Sequence, residues 1–187
     1  MIARTFFTQL LAAACGLSLA LACDPPQCID GPAQTPLDTA ACEAPPVAAD
    51  PQIAVAHAEW LETGDLVITW TSFGLECGTR AANVELAGDC ERTGWVFTVE
   101  IPSELAVAGT IELDAHPEVI GTMTVMDGGN GGKTGTIGDE PFFTGHLELT
   151  QVAADCVTGV LHGFGSGIAD PTLGGPELNG GFLAPTC

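Results

Sequence analysis

From about residue 53 onward the chain alternates apolar and polar positions with a period of two, the pattern of strands that bury one face and leave the other polar. Leu66, Ile68 and Trp70 alternate with Val67, Thr69 and Thr71; Trp95, Phe97, Val99 and Ile101 alternate with Val96, Thr98 and Glu100. Pro102 has no N–H to give a ladder and closes the second of these strands. The alternation returns at Ile111 and Leu113, at Met123 and Val125, and at Leu147 and Leu149. Residues 157–164 read as a thinner strand, because Gly159 and Gly163 leave gaps in its packing surface. Residues 53–61 carry enough alanine for a short helix, but the Thr63-Gly64-Asp65 turn with a strand directly behind it makes them the first arm of a hairpin. About eight short strands without a convincing helix predict an all-β domain, a single antiparallel β-sandwich or partly closed barrel.

The first 22 residues do not share this pattern. They hold one charge, Arg4, then an apolar run, and the acids begin only at Asp24. The small residues at the end of the run and the immediate Asp-Pro-Pro predict a signal peptide rather than a membrane-spanning helix. Leu19-Ala20-Leu21-Ala22-Cys23 resembles a bacterial lipobox, whose cysteine receives a diacylglycerol, although Leu19 lies one step further out than usual. Cleavage without lipidation is the alternative reading of this small-residue ending.

Cysteine parity decides between them. The eight cysteines are Cys15, Cys23, Cys28, Cys42, Cys77, Cys90, Cys156 and Cys187. Cys15 departs with the signal peptide, and acylation of Cys23 leaves an even six for disulfides in an oxidising compartment. Six cysteines allow fifteen connectivities. Closeness in sequence pairs Cys28 with Cys42, Cys77 with Cys90, and Cys156 with Cys187. No close Cys-x-x-Cys pair exists to suggest structural zinc.

Between the signal and the strands, residues 23–52 are rich in Pro, Ala and Asp, which predicts an extended tether ahead of a disulfide-linked domain over residues 53–187. With 187 residues and 46% hydrophobic content the chain supports one modest core. Four Lys+Arg against 24 Asp+Glu give a formal charge of -20, and loss of Arg4 with the signal makes it -21. A surface so acidic repels phosphate backbones and excludes nucleic acid as a partner.

The run Trp95-Val96-Phe97-Thr98-Val99-Glu100-Ile101-Pro102, the segments Gly109-Thr110-Ile111-Glu112-Leu113 and Gly145-His146-Leu147-Glu148-Leu149-Thr150, and the closing Ala184-Pro185-Thr186-Cys187 together resemble the small secreted β-rich lipoproteins of myxobacteria and related deltaproteobacteria. The resemblance covers roughly residues 53–187. It implies a secreted β-domain and carries over no catalytic residue.

Three histidines stand two residues before a glutamate: His57 and Glu59, His116 and Glu118, His146 and Glu148. On a strand such pairs share a face and offer an imidazole and a carboxylate to one ion. Acids are so numerous here that solvated polar strand faces are the preferred reading. The Gly-rich stretch from Asp127 to Glu140 contains Gly132-Lys133-Thr134, but Asp127 stands where a phosphate loop needs glycine and no helix follows. Asp127, Asn130, Asp139 and Glu140 could supply oxygens to Ca²⁺, yet their spacing fits no calcium motif, and the stretch reads as an inter-strand loop. After the signal peptide only Ser72, Ser103 and Ser166 remain as serine nucleophiles, without a Gly-x-Ser-x-Gly elbow.

These features predict a lipid-anchored protein of the bacterial cell envelope, at the outer membrane or cell surface, or otherwise secreted. It is expected to be a non-enzymatic binding or structural module without a cofactor, with a protein or glycan as partner. The alternative is a metal-dependent carbohydrate-binding module or hydrolase using calcium or zinc.

Overall fold

The computed structural model describes residues 42–80, 94–127, 133–137, 143–166 and 176–187. Nine strands lie among them: β1 (Val55–Trp60), β2 (Leu66–Thr71), β3 (Gly94–Ile101), β4 (Gly109–Glu112), β5 (Ile120–Asp127), β6 (Lys133–Ile137), β7 (Phe143–Val152), β8 (Cys156–Ser166) and β9 (Leu178–Pro185). They form two antiparallel sheets, ordered β1-β2-β3-β5-β6 and β4-β7-β8-β9, so the all-β sandwich read from the alternation is the fold.

The alternating apolar residues of both sheets meet in the middle. Ile68 lies opposite Val99 and Trp70 opposite Phe97, and all four are buried. Trp70 contacts Phe164 and Phe182 of the other sheet at centroid separations of 5.1 and 5.2 Å, and Phe143 stacks on Phe164 at 5.2 Å. Offset and edge-on aromatic packing of this kind adds to the burial of apolar area in holding the layers together. Gly159 belongs to this junction. A Cβ there would sit 2.8 Å from the Phe182 ring and 2.2 Å from the Glu148 carbonyl oxygen, so the glycine admits the ring instead of weakening the strand. β8, expected to be thin, is consequently a full eleven-residue strand.

Three other expectations about the strands need correcting. The alternation at Ile111 and Leu113 is not one strand: β4 ends at Glu112, and Leu113–Ala115 forms a 3-10 turn that buries Leu113. The Gly-rich stretch contains β6, which pairs with β5 and sets Asp127 opposite Lys133. Asn130, Asp139 and Glu140 lie outside the described residues. The polar face of β2 and β3 is not solvated: Thr69, Thr71 and Thr98 are buried, with Phe73 and Leu75 of the following connection packed against Val96. The Thr69 and Thr98 hydroxyls satisfy each other at 3.1 Å.

The disulfides correct the cysteine pairing. Cys42 is bonded to Cys156 and Cys77 to Cys187, so neither Cys77 with Cys90 nor Cys156 with Cys187 is a pair, and Cys42 is not free for Cys28. Cys15, Cys23, Cys28 and Cys90 lie outside the described residues. The Cys42–Cys156 bridge also moves the domain boundary, because the chain expected to be a tether is docked from Cys42 on. Ala49 makes a parallel bridge to Gly181, Gly181 N–H donates to the Ala48 carbonyl at 2.8 Å, and Asp50 is only 3% exposed. A second parallel bridge, Ala58 to Thr186, brings β1 against the end of β9 and joins the two sheets along one side.

Candidate functional site

The outward face of the four-stranded sheet gathers the described histidines and glutamates most closely. Residues two apart on a strand share a face, which places Glu112 of β4, His146 and Glu148 of β7, and His162 of β8 together. The register sets Glu112 directly opposite His146, and His146 directly opposite His162. His146 Nε2 lies 2.9 Å from Glu112 Oε2, and His162 Nε2 lies 3.5 Å from Glu148 Oε2. All four side chains are about half exposed, between 44% and 53%. Beside them the Thr150 and Thr158 hydroxyls bond at 3.0 Å.

The backbone beneath this row is built, not regular. The β7/β8 ladder shifts register between Thr144 and His146, and the β8/β9 ladder shifts between Leu161 and Phe164. Gly145, at φ +93°, approaches so closely that a Cβ would lie 2.4 Å from the Gly163 carbonyl oxygen. Bulges of this type bend a strand and re-aim the adjacent side chain, here His146 and His162. Asn179 secures the arrangement from β9, its Oδ1 accepting Gly163 N–H at 2.7 Å and its Nδ2 donating to Glu177 at 3.0 Å.

The three His-x-Glu pairs have separate fates. Only His116 and Glu118 bond as a pair, Nδ1 to Oε1 at 2.8 Å, and this hydrogen bond holds the Glu118 carboxyl below its ordinary range. His146 and Glu148 share a face but turn to the cross-strand partners Glu112 and His162. His57 is buried at 3% exposure, contrary to the expected solvated face, and burial pushes its pKa down against the opposing influence of the Thr79 carbonyl and Glu59. Its Nε2 lies 3.2 Å from the Thr79 carbonyl oxygen, its Nδ1 has no hydrogen-bond partner among the described residues, and Glu59 pairs instead with Arg80 at 3.3 Å.

Glu112 and His162 escaped the sequence reading because the i, i+2 offset looks along a strand and their contacts run across strands. The polar positions of β4 and β8 marked them as outward-facing, but only the strand order β4-β7-β8 makes them neighbours. Among the described residues no three His, Cys, Asp or Glu side chains converge into a preformed metal cage. Ser72 Oγ accepts the Trp95 N–H at 3.0 Å and Ser103 Oγ donates to Glu104 at 3.4 Å, which are structural roles. No helix among the described residues is long and apolar enough to cross a membrane. Comparison with known proteins finds no matching family model, no matching curated protein and no matching solved structure.

Proposed function

We propose that the protein is a lipoprotein of the bacterial envelope, anchored through Cys23, whose sandwich is a non-enzymatic binding module with the outward face of the four-stranded sheet as its contact surface. The observation that carries this reading is the half-exposed row of Glu112, His146, Glu148 and His162 on a bulged but braced backbone. Catalysis by such groups needs water excluded and charge preorganised, which an open sheet face does not supply. Recognition of a protein or glycan by charged and hydrogen-bonding side chains on a rigid strand framework needs only exposure and fixed spacing. The lipobox ending at Cys23, the resemblance to small secreted lipoproteins and the disulfides favour an exported, membrane-held location. The net charge argues against nucleic acid.

Two measurements test the proposal. The full chain should enter the detergent phase with the envelope fraction, and a Cys23→Ser variant should not, since the multiple acyl chains of a bacterial lipoprotein hold where a single one does not. Mass spectrometry finding an unmodified peptide across Ala22 and Cys23 would overturn the anchor. For the contact surface, a glycan array and crosslinking in whole envelopes should give signals that His146→Ala and Glu148→Ala reduce. Signals unaffected by both substitutions would place the contact elsewhere.

A further inference from the structure

We infer that His146 and His162 form a surface chelate for one divalent transition-metal ion of the zinc or copper class, with Glu112 and Glu148 as the carboxylates behind the two rings. Carboxylate oxygens 2.9 Å and 3.5 Å from the Nε2 atoms of His146 and His162 favour, by their charge, the neutral tautomer of each ring that carries its proton on Nε2. That leaves the lone pair of each imidazole on Nδ1, the nitrogen nearer the backbone. His146 and His162 are directly opposed on β7 and β8. Opposed residues hold their Cβ atoms about 4.5–5.5 Å apart, a spacing that one ion can bridge through two imidazoles at the ~2.0–2.1 Å of a zinc–imidazole bond once the half-exposed rings turn toward it.

The glutamates complete the chemistry without being ligands. A carboxylate accepting the far N–H of a metal-bound imidazole fixes the tautomer, orients the ring and raises its basicity. In this division of labour two nitrogens come from the protein and water fills the other positions. Imidazole selects zinc, copper or nickel over magnesium and calcium, which prefer oxygen ligands. A chain of net charge -20 raises the local concentration of any cation, so the selectivity must come from the nitrogen pair. The bulged, glycine-bearing backbone next to both histidines fixes the direction from which the rings leave the sheet.

The inference rests on the same sheet face as the proposed contact surface, yet needs neither the lipid nor a macromolecular partner. Zinc binding that fails would leave protein or glycan binding by that face standing, and partner binding that fails would leave the chelate standing. The test is a ZnCl₂ titration of the full chain, with excess Mg²⁺ to occupy bare carboxylates, followed by NMR of the imidazole C–H signals. A single equivalent should shift His146 and His162 together and saturate, with His57 and His116 unmoved. His146→Gln and His162→Gln should each weaken zinc by about tenfold or more, Glu112→Gln by about tenfold, and His116→Gln not at all. Unlinked responses of the two histidines, or unchanged affinity in the His146→Gln, His162→Gln double variant, would overturn the chelate. Should a variant fail to fold, Cu²⁺ added to the unaltered chain must broaden signals around His146 and His162, and broadening centred elsewhere would equally overturn it.

Discussion

The carboxylate of Asp50 accepts the backbone N–H of Asn179, a residue 129 positions later in the chain. Asn179 in turn holds Gly163, so the segment ahead of β1 braces the bulge beside His162. Asp50 also accepts Gln52 N–H at 2.8 Å and is buried. Hydrogen bonds to a charged group contribute about 1.5–3 kcal/mol each, and the donors on the docked segment can partly regain water. Asp50→Ala is expected to lower unfolding free energy by about 2–4 kcal/mol, and Asp50→Asn by less because one acceptor oxygen survives. Urea denaturation checks this. A loss under about 0.5 kcal/mol, within the range of ordinary surface substitutions, would mean that the segment is not docked in solution.

The bridges are read directly by peptide mapping under non-reducing conditions, which should recover Cys42 with Cys156 and Cys77 with Cys187. They span 114 and 110 residues, and closing loops of this length removes about 4–5 kcal/mol of denatured-state entropy per bridge in the chain-entropy model. The Cys77→Ser, Cys187→Ser variant should be less stable by about 2–5 kcal/mol. With Cys23 acylated, parity leaves Cys28 and Cys90 to each other, and thiol titration of the unfolded, unreduced mature chain should find no free cysteine. Reactive thiols on either would break the parity argument for lipidation.

Gly145 and Gly163 separate two causes of glycine dependence at the bulge. Both have positive φ, but a Cβ on Gly145 would strike backbone at 2.4 Å whereas one on Gly163 meets nothing within 4 Å. Gly163→Ala should therefore cost only the left-handed conformation, about 1–2 kcal/mol. Gly145→Ala should cost more, about 3 kcal/mol or above, because strands β7 and β8 must also move apart. Thermal unfolding of the two variants side by side gives the order, and equal losses would show that the close approach is absent.

Alternation exposed the core strands because Leu66, Ile68 and Trp70, like Trp95, Phe97 and Val99, each bury one face in the same two-layer interior. It said nothing of which strand lies beside which, and the candidate site depends on that: Glu112, His146 and His162 come from three strands. The same gap misdirected the cysteines, since nearness in sequence stood in for nearness in space, while Cα atoms of Cys42 and Cys156 are 6.1 Å apart after a long excursion. Polar alternation also misled at Thr69 and Thr98, where hydroxyls bonded to each other tolerate burial under the connection that follows β2. β9 was obscured by Gly180 and Gly181, accepted where the backbone of residues 47–50 comes close, and by Pro185, tolerated at the end of an edge strand.

His57 makes the stability of the fold depend on pH. Burial disfavours its charged form, so its folded pKa lies below the ordinary value, and the Thr79 carbonyl and Glu59 only partly oppose this. Between the two pKa values the unfolded chain binds the proton and the folded chain does not, hence stability rises with pH. The contribution of His57 is present above the unfolded value of about 6.5 and is lost as the pH falls from there through the folded value. Glu118 has the same sign but acts lower, because its carboxyl, bonded to His116, must protonate only below the ordinary glutamate range. His57→Gln keeps a side-chain N–H for the Thr79 carbonyl while removing the titration, so as the pH falls below about 6.5 its stability should fall less than that of the parent. His116→Gln should alter the profile chiefly below about pH 4.5. Urea unfolding across this range checks both, and parallel curves for the parent and His57→Gln would show that the imidazole is not sealed from water beneath Thr79.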